Sequence, residues 1–546
     1  MPSRTCLDTN HQSPLSTIPI FSLPSPIKPD RLAFWLQGYD PLLAYNLIHD
    51  FTYGFDLGFI GSPSNSTNIK NHLSALQHPR VVTRTILKEI QRGRLLGPFD
   101  NIPFNSFHFS PLGLVSKKNA GEFRMIVDLS SPQGHSINSG ISDESSRVTY
   151  ASIDDAIKNI LDCGAGAFLA KSDIESAFRL LPIRPSQYHL LGITWDDKFF
   201  FDRCLPMGAR SACQLFERFS SALQFIASQC GVNHSVHYLD DFLFVNSSCV
   251  GCRSDLDIFI KLCGDINVPL SVEKTVGPCQ ILPFLGLELN TLIETVSLPP
   301  DKLDKCRMWI RWMLDRRKCQ LHELQALLGL LQFACAVIIP GRAFLSHLYR
   351  LTAGGYKPYH YITLDSEAKK DLNLWLSFLD NHNGVSLYRQ ERFFSATTCH
   401  IFTDACTSLG CGALFLDKWF SLAWPSPWYL KQSITLLELI PIVLAVECWG
   451  KLLTNQCLVV HTDHIALESI ISNQSCKSKS PLIMALIRRL VLSCLTFNVL
   501  IKPTFISGIR NKSADALSRL QIAEFRALQP NAETLPSQVH LPACLD

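Results

Sequence analysis

Two rhythms of apolar and polar positions alternate along the chain and divide it into zones. Residues 1–30 carry proline and serine without a periodic apolar face, and a disordered lead-in is expected there. Ordered pattern begins near Arg31 with Phe34-Trp35-Leu36. A basic amphipathic helix is predicted over Val81–Leu96, then strands over Leu112–Ser116 and Phe123–Leu129, joined by a turn at Asn119-Ala120-Gly121. Helical and extended spacing then alternate, with Ile153–Ile160 helical, Phe168–Ala170 extended and Ala212–Ala227 helical. Apolar and aromatic residues flank Asp240-Asp241 on both sides, Val236 and Tyr238-Leu239 before and Phe242-Leu243-Phe244-Val245 after. That pattern predicts a hairpin with an acidic pair at its turn. Pro283–Leu287 reads as a further tight hairpin. From Leu303 to Ile339 the spacing is helical, and Leu321, Leu324, Leu328, Leu331 and Cys335 form one stripe ended by Pro340-Gly341. Ser366–Leu379 is another helix, with Leu372, Trp375, Phe378 and Leu379 on one face, closed by Asn381–Gly384. A second alternating α/β pattern runs from Cys399 to Leu520, and the final residues are again rich in proline and polar side chains.

Composition adds constraints rather than a fold. A chain of 546 residues, 47% hydrophobic and 18% charged, has the material for about three or four globular domains. The net charge of +3 is small, but basic residues gather in three zones, Arg80–Arg124, Lys302–Lys318 and Lys477–Arg519. Such spacing suits a polyanion that tracks across several domains, although a solvated helix face would explain any one zone. The 20 cysteines lie scattered in apolar stretches, as buried thiols of a reducing compartment do. Cys249 and Cys252 have C-x-x-C spacing, but no second pair completes a zinc site, so a structural role is expected. No basic-then-apolar signal segment opens the chain. The longest apolar stretches are broken by Gln332 in one case and by Glu438 and Pro441 in the other, so neither can span a bilayer. An intracellular protein without a membrane partner is expected, in cytoplasm or nucleus, and not a secreted one.

Asp240 and Asp241 admit two readings. Adjacent carboxylates repel, and one stays protonated unless a cation sits between them, which favours a divalent-metal site on a rigid hairpin. The other reading is an Asx-type turn in which the aspartates bond their own backbone. Asp173, at the end of an apolar strand, supplies a third carboxylate. Three such groups can hold two Mg²⁺ ions roughly 3.5–4 Å apart, one lowering the pKa of an attacking hydroxyl and the other stabilising phosphates and leaving oxygen. Phe178 would sit beside the sugar of a bound nucleotide. Its ring cannot accept a hydrogen bond from a 2′-OH and fills the space that group needs, favouring deoxy substrates.

These residues resemble reverse transcriptases. Asp173 through Phe178 and Tyr238-Leu239-Asp240-Asp241 are similar to the family's first and third palm motifs, and Leu205-Pro206-Met207-Gly208 with Phe216 to the substrate-pocket motif between them. Ser110-Pro111 and Phe123–Leu129 look like the fingers hairpin. The resemblance implies that Lys117 and Arg124, seven residues apart, bind the triphosphate. Lys274 resembles the palm lysine that protonates departing pyrophosphate, and Phe284-Leu285-Gly286 resembles the primer grip. Met207 departs from the pattern, since retroviral enzymes usually carry Gln there. Methionine packs against a base without hydrogen-bonding it, which touches fidelity and nucleotide affinity but not the reaction type.

A second acidic set lies downstream. Asp404 and Asp463 end apolar strands, Glu438 sits on a strongly apolar helix, and Asp515 begins a short one. Glu438 needs a partner or a metal there, whereas Asp515 alone would be an acid favouring a helix start. Together the four fit a two-metal phosphodiester hydrolase. This segment resembles RNase H domains, and Ala514–Arg519 is especially similar to those of LTR-type retroelements. The resemblance implies cleavage of the RNA strand of an RNA–DNA hybrid, told from DNA by its 2′-OH. Phe505 lies near the place where cellular RNases H carry a histidine, so the proton shuttle is expected to be weak or left to solvent.

Tyr53–Phe59, Leu327–Cys335 followed by Pro340–Phe344, and Asn383–Leu387 resemble DIRS-like, tyrosine-recombinase-type retrotransposons, and the resemblance covers roughly residues 31–530. It implies an α+β multidomain fold: a right-hand polymerase with fingers, ferredoxin-like palm and helical thumb, followed by an α/β RNase H-like domain. Fingers and palm would occupy 31–298, thumb and connection 299–395, the RNase H-like domain 396–520, and a C-terminal tail 521–546. Implied cofactors are Mg²⁺, two per active site, with Mn²⁺ as a substitute. Implied partners are an RNA template, a DNA primer, the RNA–DNA hybrid and dNTPs, with a separately encoded tyrosine recombinase. His347-Leu348-Tyr349-Arg350 has the H-x-x-R form of such a recombinase but lacks room for its other residues, and is read as structural. The competing reading is an inactive or co-opted retroelement copy that binds nucleic acid without turnover; the presence of all seven carboxylates argues against it. A telomerase- or maturase-like polymerase is disfavoured by the fused RNase H-like segment.

Overall fold

Asp173 ends the strand Phe168–Asp173, which lies inside a four-stranded antiparallel sheet between Asp241–Asn246 and Val276–Cys279, with Ser235–Tyr238 at the far edge. These strands belong to a computed structural model that describes residues 22–117, 121–354, 357–382, 386–387, 399–425, 428–454, 456–473, 480–497 and 499–541. The chain divides into two units, 1–285 and 286–546. In the first, Phe242, Leu243, Phe244 and Val245 are all buried, so this strand is covered on both faces and its apolar run is continuous instead of alternating. Helices Ile153–Cys163, Ala212–Gln229 and Cys249–Ile266 pack on the sheet. Ser152 opens the first of them through a capping box with Asp155. Cys252 is buried and Cys249 exposed on the third.

A smaller sheet orders Leu95–Phe99, Lys198–Asp202 and Gly192–Trp195. Beside it the hairpin of Leu112–Ser116 and Phe123–Val127 pairs Val115 with Arg124. Residues 118–120, where its turn was expected, lie outside the described residues. The basic helix runs Pro79–Gln91 and stops before Leu95, because Gly93 adopts φ +68° and the chain turns into a strand. Val82 and Ile86 of that helix share a core with Leu95, Leu112, Leu114 and Phe200.

Residues 22–30, within the segment expected to be a disordered lead-in, are packed. Arg203 donates to the Ser22 carbonyl at 2.7 Å, Ser25 Oγ to the Leu180 carbonyl at 2.6 Å, and Ile27 is buried. A proline-rich composition hid this anchoring, because the partners lie some 155 to 181 positions away. The Tyr53–Phe59 stretch bridges to Ile183 through Phe55, and Gly54 (φ +97°) is required there: a Cβ would come within 2.5 Å of Arg184 N.

In the second unit the helical stripe expected over Leu303–Ile339 is two helices, Pro300–Leu314 and Leu321–Ala334. Between them Lys318–Gln320 forms a strand with Tyr361–Thr363. Arg316, Arg317 and Lys318 would place three charges in one turn, and Gln320 caps the second helix by donating its N–H to Glu323 at 2.7 Å. Helix Ser366–His382 buries Leu372, Trp375, Phe378 and Leu379. The side chains expected to close this region at Asn381–Gly384, and that of Pro340, lie outside the described residues; Gly341 is buried, and a Cβ there would lie 2.4 Å from the Trp375 ring.

A five-stranded sheet follows, ordered Lys418–Ala423, Gly410–Phe415, Cys399–Ala405, Cys457–Thr462 and Leu500–Phe505. The first two pairings are antiparallel and the last two parallel. Helix Ile434–Trp449 packs on it and is buried at nearly every position. The segment after Leu520, expected as a tail, completes this fold: Phe525 of helix Ile522–Leu528 is fully buried beside Trp419, and Glu533 and Ser537 donate backbone N–H groups to Asp417 and Trp419 at 2.8 Å. Among the described residues no helix is long and apolar enough to cross a membrane.

Candidate active sites

Strand register brings the first acidic set together. Asp173 pairs directly with Asp241, and Tyr238 pairs with Asp241 across the two-residue turn Leu239-Asp240. Directly paired residues point to the same face of a sheet. Leu239 takes φ +53°, and the Ile174 N–H donates to the Asp240 carbonyl at 2.9 Å, which fixes the turn. Burial, with Asp173 and Asp240 nearby and Lys171 opposing, pushes the Asp241 carboxyl up to about 6. Burial and the Asp173 charge also raise Asp240. Lys274 Nζ donates to both Asp173 carboxylate oxygens, at 2.9 and 2.8 Å. Burial lowers the lysine's pKa, but the bond to Asp173 together with the charges of Asp173, Asp240 and Asp241 outweighs it, and the net shift is upward. An ammonium thus supplies the positive charge beside Asp173.

A cleft of about 990 Å³ opens over this centre, lined by Asp173, Asp240, Lys274, Phe178, Met207, Gly208, Lys117 and Arg124. Asp241, paired with Asp173, is not among the lining residues. Lys117 reaches Glu122 at 3.4 Å, and Arg124 Nη1 donates to the Met207 sulfur at 3.7 Å. Phe178 sits on the turn Ala177–Leu180, its ring 5.4 Å from that of Phe216. Asn138 was not foreseen. Its amide donates to the Gly208 carbonyl and to Ser130 Oγ, each at 2.9 Å, and its oxygen accepts from Arg210 N at 2.8 Å. It holds the Pro206–Gly208 segment in place, and an Asn in a Ser-rich loop gave no signal of that. At the hairpin resembling a primer grip, Leu285 takes φ +49° and Lys302 donates to the Gly286 carbonyl at 2.8 Å.

In the second unit, Asp404, Glu438 and Asp463 place one carboxylate oxygen each within 4.8 Å of the others. Among the described residues this is the group of acids that meets that spacing; Asp173, Asp240 and Asp241 do not. Gly412, opposite Asp404, permits it: a Cβ there would lie 2.3 Å from Leu517 Cβ, so glycine lets helix Lys512–Ser518 approach. Ser518 Oγ then donates to Asp404. Asp515 stands outside the triad, accepting from Arg519 at 2.8 Å. Glu438 is 4% exposed and its Oε2 has no hydrogen-bond partner. Burial, then Asp404 and Asp463, push its carboxyl up to about 9; burial likewise lifts Asp404 to about 6, against the Ser518 bond. An orphaned buried oxygen among three crowded acids fits a divalent cation, which removes both the repulsion and the missing partner. Phe505 ends its strand 45% exposed. His464, which follows Asp463, shares a 2.9 Å hydrogen bond with Thr435; the His461-Thr462-Asp463-His464 run was its available signal.

Part of the basic charge is used internally. Arg488 bonds Asp371 at 2.7 Å and Glu367 at 3.1 Å, Arg489 pairs with Glu447, and Arg307 bonds Asp380 at 2.7 Å. Lys477 and Lys479 lie outside the described residues. His347, of the H-x-x-R stretch, accepts Arg350 at 3.0 Å and bonds Asp365 at 2.9 Å.

No protein-family model matches the chain. It is similar to the Pro-Pol polyprotein of feline foamy virus, 24% identical over 198 residues, which is 36% of this chain and spans only 16% of the polyprotein. Among solved structures it is similar to foamy viral protease-reverse transcriptase dRH in complex with dsDNA, at 18% identity over 82% of this chain and 72% of that one, with a TM-score of 0.49. It is also similar to the foamy viral protease-reverse transcriptase in complex with RNA/DNA hybrid, at 17% identity over 87% of this chain and 62% of that one, TM-score 0.46.

Proposed function

We propose that the chain is an RNA-directed DNA polymerase with ribonuclease H activity, encoded by a DIRS-like retrotransposon. The observation that carries the reading is the pairing of Asp173 with Asp241, with Asp173 and the adjoining turn's Asp240 lining a cleft that Lys117, Arg124 and Phe178 also line. The Pro-Pol similarity supports the polymerase part, and the motifs at Tyr53–Phe59, Leu327–Cys335 and Asn383–Leu387 support the DIRS-like origin. In this reading Lys117 and Arg124 bind the dNTP triphosphate and Phe178 excludes a 2′-OH. Met207 and Gly208 pack beside the nucleotide, and Lys274 Nζ holds a proton for the departing pyrophosphate. Asp173, Asp240 and Asp241 hold the metals of the polymerase site; Asp404, Glu438, Asp463 and Asp515 hold those of the nuclease site. Mg²⁺ held by these carboxylates, two ions per site with Mn²⁺ as substitute, would supply Lewis-acid activation of the nucleophile and offset charge on the leaving oxygen. The substrates are an RNA template, a DNA primer, dNTPs and the resulting hybrid, and a separately encoded tyrosine recombinase completes the element's cycle.

Primer extension on an RNA template with Mg²⁺ tests the reading. Extension by the unaltered chain and none by Asp173→Asn supports it. Extension that survives that substitution, or no extension by the unaltered chain across Mg²⁺ and Mn²⁺, overturns it.

A further inference from the structure

Next to Phe178 the chain buries an arginine that the reaction described above does not use. Arg179 is 21% exposed at its side chain and bonds two acids that are 17% and 11% exposed, Glu89 and Asp202. Its Nη1 donates to Asp202 Oδ2 at 2.6 Å and to the Cys204 carbonyl at 3.3 Å. Nε and Nη2 both donate to Glu89 Oε2, at 3.2 and 2.9 Å. Asp202 is fixed in turn, because its other oxygen accepts from Cys204 N at 3.1 Å. Four hydrogen bonds from one guanidinium, spread over three partners, join the turn that carries Arg179 to a helix and a strand end, a joint that a lysine cannot reproduce.

The three elements give the joint its meaning. Glu89 belongs to helix Pro79–Gln91, Asp202 ends strand Lys198–Asp202, and Arg179 lies on the short turn Ala177–Leu180 that carries Phe178. Ser176 enters that turn in the left-handed region at φ +56°, so the turn is not held by its own backbone preference. Glu89, Arg179, Asp202 and Phe178 all line the same cleft. The Phe178 ring touches Phe216 on one side, and the joint is anchored at the residue that follows it.

We infer that Arg179, by clamping Glu89 and Asp202, is a positioning residue for Phe178 and sets the discrimination between deoxyribose and ribose nucleotides. The inference rests on the polymerase reading but asks a separate question of the same cleft. A ring displaced by a fraction of an ångström admits the 2′-OH it is placed to exclude, since sugar selection by a steric wall depends on where the wall stands. Arg179 acts through Phe178 and touches no reacting atom.

The test measures ribonucleotide against deoxyribonucleotide insertion efficiency on one RNA template–DNA primer, for the full chain and for Arg179→Lys, Glu89→Gln and Phe178→Val. Arg179→Lys is expected to raise the ribonucleotide share roughly tenfold, and Glu89→Gln by several-fold, because a methylene-sized change of fit in a pocket is worth about that much. Glu89→Gln keeps the Asp202 bonds and serves if Arg179→Lys loses its fold by thermal melting. In a Phe178→Val background, adding Arg179→Lys is expected to change the ratio by less than about twofold, since coupled residues do not add. An unchanged ratio in both single variants, or a full additive effect on top of Phe178→Val, overturns the inference while leaving the polymerase reading intact. No insertion by the unaltered chain overturns the reading itself, and this inference with it.

Discussion

Glu438→Gln should make the protein more stable and at the same time remove the nuclease activity proposed for it. Glu438 is 4% exposed, and in the folded chain its carboxyl is pushed from 4.5 up to about 9, first by burial and then by Asp404 and Asp463. The unfolded chain ionises near the ordinary value, so between those two pH values the unfolded state gives up a proton that the folded state keeps. Without a divalent cation, stability therefore falls as pH rises through this window. Each unit is worth 1.36 kcal/mol, so the cost is below about 1 kcal/mol at pH 5, about 3 kcal/mol at pH 7 and about 6 kcal/mol at pH 9. Glutamine has the shape of the protonated acid and none of this dependence. Melting followed by tryptophan emission in EDTA should show the variant gaining little at pH 5 and about 6–12 °C at pH 7, using roughly 2–4 °C per kcal/mol. Adding Mg²⁺ should raise the melting temperature of the unaltered chain by more than that of the variant, which keeps only the Asp173, Asp240 and Asp241 site intact. A variant that is no more stable at pH 8 than the parent, or a gain independent of pH, would refute the reasoning.

Two further outcomes follow from contacts in each unit. Lys274→Met removes the ammonium held by Asp173 at 2.8 Å, and primer extension should slow by about 10²-fold while dNTP KM moves little, as expected for loss of a general acid. A KM increase with unchanged kcat would instead make Lys274 a binding group. Arg488→Met strips Asp371, 3% exposed, of its partner, and urea unfolding should register a loss of about 3–5 kcal/mol; a loss under 1 kcal/mol would mean that Asp371 is solvated or neutral without it.

The acidic hairpin and the Asp173 strand were legible because strand spacing is local: apolar runs on both sides of Asp240-Asp241 set the turn, and one register then pairs Asp173 with Asp241. Glu438 was legible for a different reason, since a carboxylate in a helix as apolar as Ile434–Trp449 has no other way to be satisfied. What escaped depends on distant partners. Ser22–Lys28 and the segment after Leu520 have loop-like compositions, yet their backbones bond strands and helices far along the chain. The break at Lys318–Gln320 was hidden because apolar spacing resumes in phase at Leu321, and only pairing with Tyr361–Thr363 reveals the strand. Arg488 counted toward a basic surface until Asp371 claimed it, and charge counting cannot tell a paired guanidinium from a free one.

The central claim, two separate catalytic centres in one chain that copies RNA and then removes it, is tested most directly by following both strands in one reaction. With a 5′-labelled RNA template and a differently labelled DNA primer, the unaltered chain should lengthen the primer and shorten the template when dNTPs and Mg²⁺ are present. Asp240→Asn with Asp241→Asn should abolish lengthening yet still cut the RNA of a preformed hybrid, and Asp404→Asn should do the reverse. Loss of both activities in either variant while its fold melts normally, or persistence of both in either one, would contradict the claim.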